Sequence, residues 1–114
     1  MKEQRQIIFH KHYFVSFYTA QPKNVQQKID YVFTLLRTVD RVPRKFLHHL
    51  EGTDGLYEIR IEYSSNIYRI FCCFDKGNLI VLFNAFQKKT QKTPKQELEL
   101  AERLKKEYFA TKKK

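Results

Sequence analysis

The chain has little of several residues and features that would widen its possible functions. It has no tryptophan and only three glycines, three prolines and two cysteines among 114 residues. No apolar run reaches the ~18 residues that a membrane-spanning helix needs, so we expect no membrane partner. The polar residues 1–6 predict no signal peptide, and we therefore expect a cytoplasmic protein.

The two cysteines, Cys72 and Cys73, are adjacent in a predicted strand. Their side chains point to opposite faces, so they can form neither an ordinary disulfide nor a chelating pair for a metal. We expect buried thiols in a reducing compartment. We also expect no metal site and no cofactor.

Acidic residues are scarce beside basic ones. Twelve Asp and Glu accompany 22 Lys and Arg, which gives a formal net charge of +10 and a pI of about 9.7. This balance favours an acidic partner, which would be nucleic acid, an anionic membrane or an acidic protein. The length and the 42% of hydrophobic residues suffice for one core. We expect a single domain over residues 1–111 and a basic tail at residues 112–114.

Apolar spacing predicts a helical hairpin in the first third of the chain. Residues 11–18 carry an aromatic stripe, and residues 22–40 repeat apolar side chains at the period of a helix. Pro22 suits the first turn of the second helix. A short strand over residues 5–10 is predicted before the hairpin.

Alternating apolar and polar residues predict an antiparallel meander in the middle of the chain. Its three strands are expected at residues 56–63, 67–74 and 79–88. The preceding residues 44–54 fit either a short helical turn or an irregular strand. A last helix is predicted with Thr93 as its N-cap, Pro94 at the first helical position and Gln96 closing a capping box.

These elements define the predicted fold class. It is α+β, with a small antiparallel sheet made of the short N-terminal strand and the three-stranded meander. The helical hairpin lies on one face of the sheet, and a C-terminal helix completes the domain.

Turn lengths predict which side chains face each other across the meander. A two-residue turn after Tyr63 places Arg60 directly opposite Arg69. A four-residue loop after Phe74 places Arg69 opposite Asn84. Two arginines face to face destabilise a sheet by up to about 1 kcal/mol. The pair therefore indicates either a function or a surface ion-pair ladder with the neighbouring glutamates.

Alternation then assigns the strand residues to two faces. The face towards the hairpin is predicted to be apolar, and in the last strand it carries Leu79, Val81, Phe83 and Ala85. The opposite face is cationic at one end. At its other end it is apolar, and either the last helix or a partner is expected to cover it.

Lysines surround the predicted start of the last helix. Lys88, Lys89, Lys92 and Lys95 lie near the positive pole of the helix dipole, where acidic residues would be more stabilising. Helix amides ringed by lysines form a ready site for a phosphate. Together with the arginine pair, these lysines indicate a site for RNA phosphates.

Three segments in this order resemble the RelE/ParE superfamily of toxins from type II toxin–antitoxin systems. They are GLYEIR at residues 55–60, YRI at residues 68–70 and FQKKTQKTP at residues 86–94. Within the superfamily they resemble the HigB-like, phage-derived Gp49-like branch. The resemblance implies a RelE-like fold and a metal-independent endoribonuclease that cleaves mRNA on the ribosome and inhibits translation. It also implies a cognate antitoxin, which we expect to be a helix-turn-helix protein.

In relatives with this activity, the 2′-hydroxyl of the RNA attacks its own 3′-phosphate. By this resemblance, Arg60 and Arg69 hold the scissile phosphate and stabilise the charge that develops on it. Lys88 and Lys89 position the backbone or stabilise the leaving group.

Three further residues are predicted to contact the RNA around the scissile bond. Lys92 and Lys95 would hold flanking phosphates at the start of the last helix. Phe86 would stack on a base, although its position also fits the edge of the core.

The sequence leaves open which group moves the proton. No histidine lies near the end of the last predicted strand, where some relatives place one. His48 or His49 can approach from the segment before the second strand, and Tyr108 from the last helix. A lysine is the remaining alternative.

Two other functions fit the same residues. A ParE-like toxin that binds DNA gyrase would share the fold, and a non-catalytic basic module that docks an acidic protein would share the charge. The lysine-rich segment at residues 86–94 favours the nuclease over the gyrase-binding toxin, and the non-catalytic module stays open.

Overall fold

The computed structural model describes residues 4–112. Its strands are β1 (Gln6–Phe9), β2 (Leu47–His49), β3 (Leu56–Tyr63), β4 (Asn66–Asp75) and β5 (Leu79–Lys88). Its helices are α1 (Tyr13–Thr19), α2 (Lys23–Thr38) and α3 (Lys95–Lys112). No helix in this part of the chain is long and apolar enough to cross a membrane.

The predicted α+β class is confirmed, and the sheet has one more strand than expected. Residues 44–46 form a turn and β2 follows directly, so both alternatives for this segment are partly right. The last helix begins at Lys95, and the Pro94 carbonyl accepts hydrogen bonds from the amides of Glu97 and Leu98 at 3.2 Å. Pro94 therefore takes the capping position that was predicted for Thr93.

The five strands form one sheet in the order β1-β5-β4-β3-β2. β1 runs parallel to β5, and the other neighbours are antiparallel. The predicted register between β3 and β4 is confirmed, with Arg60 opposite Arg69. Their two-residue turn holds Ser64 and Ser65 at φ of 50° and 71°, as the common hairpin turn with two positive φ angles requires.

The predicted register between β4 and β5 is wrong by two positions. Arg69 lies opposite Phe86 instead of Asn84. The turn accounts for one of these two positions of register shift, because Asp75 pairs with Leu79 and leaves only three residues in the loop. The second comes from a β-bulge opposite Ile70 to Cys72, which places one extra residue of β5 in the ladder.

The shorter loop exchanges the two faces in the first half of β5. Val81 and Phe83 pack on the side of α3, whereas Ile80 and Leu82 pack on the side of the helical hairpin. The assignment of Leu79, Val81 and Phe83 to the hairpin face is therefore wrong. The bulge reverses the alternation again, so Ala85 faces the hairpin as predicted.

Two hydrophobic clusters lie on the two faces of the sheet. In the first, α2 contributes residues at helical spacing: Val25, Ile29, Val32, Phe33 and Leu36. In the second, Ala101 and Leu104 of α3 cover the apolar half of the other face. The last helix therefore covers the apolar end of this face, which was one of the two predicted alternatives.

Each cysteine is a buried free thiol in a different cluster, as predicted. Burial raises the pKa of Cys73 to about 11 and that of Cys72 well above its usual range. Both thiols are therefore protonated at neutral pH, which fits packing and not reactivity.

The C-terminal end of α3 is tied to the β4–β5 turn. The Asp75 carboxylate accepts hydrogen bonds from the Tyr108 hydroxyl and the Lys112 ammonium, each at 2.7 Å. Lys112, predicted as the first residue of a basic tail, is thus the last residue of the helix. Lys113 and Lys114 lie outside the described residues.

Candidate functional site

The arginine pair lies on the face of the sheet that also carries α3. Arg60 of β3 and Arg69 of β4 are directly opposite each other, so their side chains share this face. They differ in exposure: the Arg60 side chain is 32% exposed and that of Arg69 only 8%. Arg60 is therefore the more accessible of the two cations.

Glu58 lies between the two arginines and is almost fully buried, at 4% exposure. Its Oε2 accepts a hydrogen bond from Arg60 Nε at 2.7 Å, and its Oε1 is 3.6 Å from Arg69 Nε. One carboxylate thus offsets part of the repulsion between two guanidinium groups. The arrangement is a buried charge cluster with a net positive charge, and not the surface ladder that the sequence also allowed.

Arg69 retains unused hydrogen-bonding capacity. Its Nη1 donates to the Tyr68 carbonyl at 3.1 Å, while its buried Nε has no hydrogen-bond partner. Burial, followed by the nearby Arg60, lowers the pKa of Arg69, and the carboxylate of Glu58 opposes that change. A buried guanidinium with free donors is stabilised by an incoming anion.

A groove of about 590 Å³ opens beside Arg69. Arg69, Lys88 and Lys89 supply its charges, and none of its nine lining residues is acidic. Its remaining lining residues are polar or apolar: Ser65, Asn66, Ile67, Gln87, Thr90 and Gln91. Such a groove can hold the phosphates of a single strand of nucleic acid.

A second groove of about 450 Å³ is less suited to an anion. It includes Arg5, whose guanidinium donates to the carbonyls of Leu36, Val39 and Asp40 at 2.8–3.1 Å. That arginine caps the end of α2, so its donors are already used.

The structure places the predicted lysines in two groups. Lys88 and Lys89 line the groove with Arg69. Lys92 lies in the loop before α3, and Lys95 is the first residue of the helix, 4.0 Å from Glu99. Both are exposed and are not among the residues that line the groove.

Phe86 is not available to an RNA base. It is 8% exposed, and its ring packs edge-on against Phe71 with the ring centroids 5.3 Å apart. It is the cross-strand partner of Arg69. Its burial fits the predicted alternative of a residue at the edge of the core.

Among the three named candidates for proton transfer, only His48 lies beside the arginine pair. It is directly opposite Glu58, and its Nδ1 is 3.8 Å from Glu58 Oε2. His49 pairs with Tyr57 and packs against its ring, which belongs to the hairpin side. Tyr108 lies at Asp75, roughly 20 Å along β4 from Arg69 at the usual strand rise.

Sequence reasoning placed Glu58 beside the arginines but in a surface ladder, so it missed the burial of this carboxylate, and it could not separate His48 from His49. Glu58 precedes Arg60 by two residues, so its position on the same face was predictable. The choice between the two histidines depended on β2, whose existence and register the sequence left open.

Comparisons with known proteins give a family and a fold. Residues 16–106 match the family described as Phage derived protein Gp49-like. A chain in the crystal structure of the archaeal RelE–RelB complex from Pyrococcus horikoshii OT3 is 24% identical in sequence. The match covers 79% of this chain and 99% of that chain with a TM-score of 0.54, which shows a RelE-like fold. No curated protein matches the chain.

Proposed function

The chain belongs to the phage-derived Gp49-like family of RelE/HigB-type toxins, and from this we propose that it cleaves mRNA on the ribosome as the toxin of a type II toxin–antitoxin system. One observation carries the proposal. Arg60 and Arg69 lie opposite each other on one face of the sheet, and Arg69 also lines the groove together with Lys88 and Lys89. A groove with the charges of Arg69, Lys88 and Lys89 and no acidic lining residue suits an RNA backbone.

The arginines supply the chemistry that a phosphate needs. Because Glu58 engages Arg60 through Nε, the two Nη groups of Arg60 can make a bidentate contact with the scissile phosphate. Arg69 adds a second charge that is fixed before the substrate arrives. As the 2′-hydroxyl attacks and charge builds on the phosphoryl oxygens, both guanidinium groups stabilise it.

The lysines of the groove act on the rest of the strand. Lys88 is half-buried and next to Arg69, which suits it to the oxygen that leaves the scissile phosphate. Lys89 is exposed and holds the next part of the backbone, and Lys92 and Lys95 extend this path towards α3. These contacts position the strand without reading its sequence.

An antitoxin is the second proposed partner. The similarity to a chain of a RelE–RelB complex supports a protein that binds this fold and neutralises it. We propose a helix-turn-helix antitoxin that blocks the groove. The net charge of +10 would speed association with an acidic segment of such a partner.

The function is tested by expression in growing cells with mapping of mRNA ends. Wild-type protein should stop growth and cut transcripts, and Arg69→Ala should lower cleavage by about 100-fold or more, as expected for loss of a charge-stabilising donor. Lys23→Ala is the matched control because it removes an exposed cation on α2, away from the groove. Circular dichroism should show all three proteins folded.

Two results would contradict the proposal. Intact transcripts under growth arrest, together with inhibited supercoiling by purified gyrase, would indicate the ParE-like activity instead. Normal growth with tight binding to an acidic protein would indicate a non-catalytic module.

A further inference from the structure

We infer that His48 accepts the proton of the attacking 2′-hydroxyl through Nε2, and that Glu58 is the positioning residue that orients the ring. This inference rests on the proposed function. It concerns removal of the proton from the 2′-hydroxyl, a role that Arg60 and Arg69 cannot fill because guanidinium groups do not give up their protons in proteins.

The contacts of His48 fix its tautomer. Arg44 Nη2 is 2.7 Å from His48 Nε2, and arginine has donors only, so Nε2 must carry the lone pair. The ring proton of a neutral His48 therefore lies on Nδ1. That nitrogen is buried, has no hydrogen-bond partner and is 3.8 Å from Glu58 Oε2.

This arrangement is that of a working general base. A carboxylate faces the protonated ring nitrogen, and the opposite nitrogen presents its lone pair to the exposed side chain of Arg44. Glu58 would also stabilise the imidazolium that forms when Nε2 takes a proton. The approach from 3.8 Å to hydrogen-bond distance needs only a small movement of the ring.

Burial and two neighbouring arginines keep the base unprotonated. Burial, followed by Arg60 and Arg44, lowers the pKa of His48 from its usual 6.5, while Glu58 and Glu51 act in the opposite direction. His48 is therefore mostly neutral at neutral pH, and its lone pair is available for catalysis.

Arg44 occupies the place that the substrate needs. Its side chain is exposed and belongs to the turn before β2, so it can move away from Nε2 without disturbing the core. The 2′-hydroxyl then takes its position at Nε2. The released guanidinium remains close enough to contact a phosphate of the same strand.

In this step the phosphoryl group is transferred within the RNA from the 5′ oxygen to the 2′ oxygen. Nε2 takes the proton of the 2′-hydroxyl while the 2′ oxygen forms a bond to phosphorus and the bond from phosphorus to the 5′ oxygen breaks. The 5′ oxygen takes a proton from water, and the imidazolium returns its proton to water. The products are a 2′,3′-cyclic phosphate and a 5′-hydroxyl end.

The test compares His48→Gln with His49→Gln in single-turnover cleavage of mRNA on purified ribosomes. His48→Gln should lower the rate by about 100-fold or more, the contribution of general base catalysis, with little change in the half-saturating toxin concentration. His49→Gln should cleave as wild type does, because His49 packs on the other side of the sheet. Antitoxin binding and circular dichroism should confirm that both variants are folded.

The pH profile distinguishes a base from a merely structural residue. For wild type, kcat/KM should rise with pH to a plateau, with its midpoint below the ordinary pKa of 6.5 for histidine. His48→Gln should lose this acid limb. Glu58→Gln should move it to lower pH, because Glu58 raises the pKa of His48.

A second measurement needs no variant and no ribosome. Nitrogen-15 shifts of His48 in wild-type protein should show the Nδ1-protonated tautomer at neutral pH. An Nε2-protonated ring, or a His48→Gln rate within about threefold of wild type with the acid limb kept, would overturn the inference while leaving the nuclease intact. A wild-type protein that leaves ribosome-bound mRNA uncut would overturn the proposed function and this inference together.

Discussion

At the scale of single residues, Glu58 decides how two arginines can face each other in the sheet. It is a buried carboxylate within 3.6 Å of one guanidinium and hydrogen-bonded to the other. Desolvating three charges is costly, and the cluster is tolerated only because its members pair with each other. A sequence selected for stability alone would gain more from apolar residues here, which is why the cluster points to a function.

Removing Glu58 should therefore destabilise the fold. Glu58→Ala should lower the free energy of unfolding by about 1–3 kcal/mol, because the buried charge of Arg69 then loses the carboxylate that offsets it. Urea denaturation followed by circular dichroism measures the change. Glu62→Ala is the control, since Glu62 lies on the same face of β3 but is exposed. Equal effects of the two substitutions would show that the buried pairing contributes nothing.

At the scale of elements, the length of each turn determines how much of the site the sequence can predict. The two-residue turn between β3 and β4 leaves one register, so the Arg60–Arg69 pairing could be derived in advance. β4 extends one residue further than predicted, to Asp75, and so shortens the loop that follows it. The bulge near Ile70 produces no recognisable change in the alternation of apolar and polar residues. The lysines could thus be assigned to the correct face, but not to their neighbours across the ladder.

The same scale explains why the proton-transfer group was left open. β2 has only three residues and no clear alternation, so no local pattern indicates which histidine turns towards the arginines. The pairing of β2 with β3 determines which histidine faces the arginines, because His48 lies opposite Glu58 and His49 lies opposite Tyr57. A long-range contact of this kind cannot be inferred from local pattern.

The contacts of Asp75 with Tyr108 and Lys112, which anchor the end of α3, should make the stability of the fold depend on pH. The Lys112 ammonium, and after it the Tyr108 hydroxyl, lowers the pKa of Asp75 through hydrogen bonds. A carboxyl whose pKa is lower in the folded state stabilises the fold above its unfolded pKa. It loses that contribution as the pH falls through the folded value.

Asp75→Asn should remove this dependence. The variant should be less stable than wild type at neutral pH, and the difference should shrink as the pH falls below about 4, the ordinary pKa of Asp. Urea unfolding across a pH series measures both proteins, with the exposed Asp54→Asn as control. A difference that stays constant with pH would contradict the proposed role of the Asp75 carboxylate.

At the scale of the whole molecule, the proposed function assigns different roles to the overall charge and to the groove beside Arg69. The net charge of +10 would attract RNA, whereas among the described residues the groove combines a buried arginine with two lysines and no lining carboxylate. The hydrophobic clusters on both faces of the sheet support the strands that carry these side chains. In the proposed function, the charge would therefore favour encounter, and the groove would favour a defined position on the strand.

The salt dependence of binding to single-stranded RNA should show how many phosphates the groove contacts. Each phosphate contact adds about 0.7 to the slope of log affinity against log salt concentration for single strands. Lys89→Ala should reduce the slope by about that amount, whereas Lys23→Ala should leave it unchanged. Fluorescence anisotropy with a labelled oligonucleotide measures both. Equal slopes for the two variants would show that the groove does not hold the strand.

Cleavage of mRNA on purified ribosomes is the decisive test of whether this protein is a nuclease that uses the arginine pair. Primer extension and end-group analysis should show that wild-type protein cuts ribosome-bound mRNA and leaves a 2′,3′-cyclic phosphate. Arg69→Ala should do so at least about 100-fold more slowly. If wild type leaves the mRNA intact, or Arg69→Ala cuts it as fast as wild type does, the arginine pair is not the catalytic site and the account is wrong.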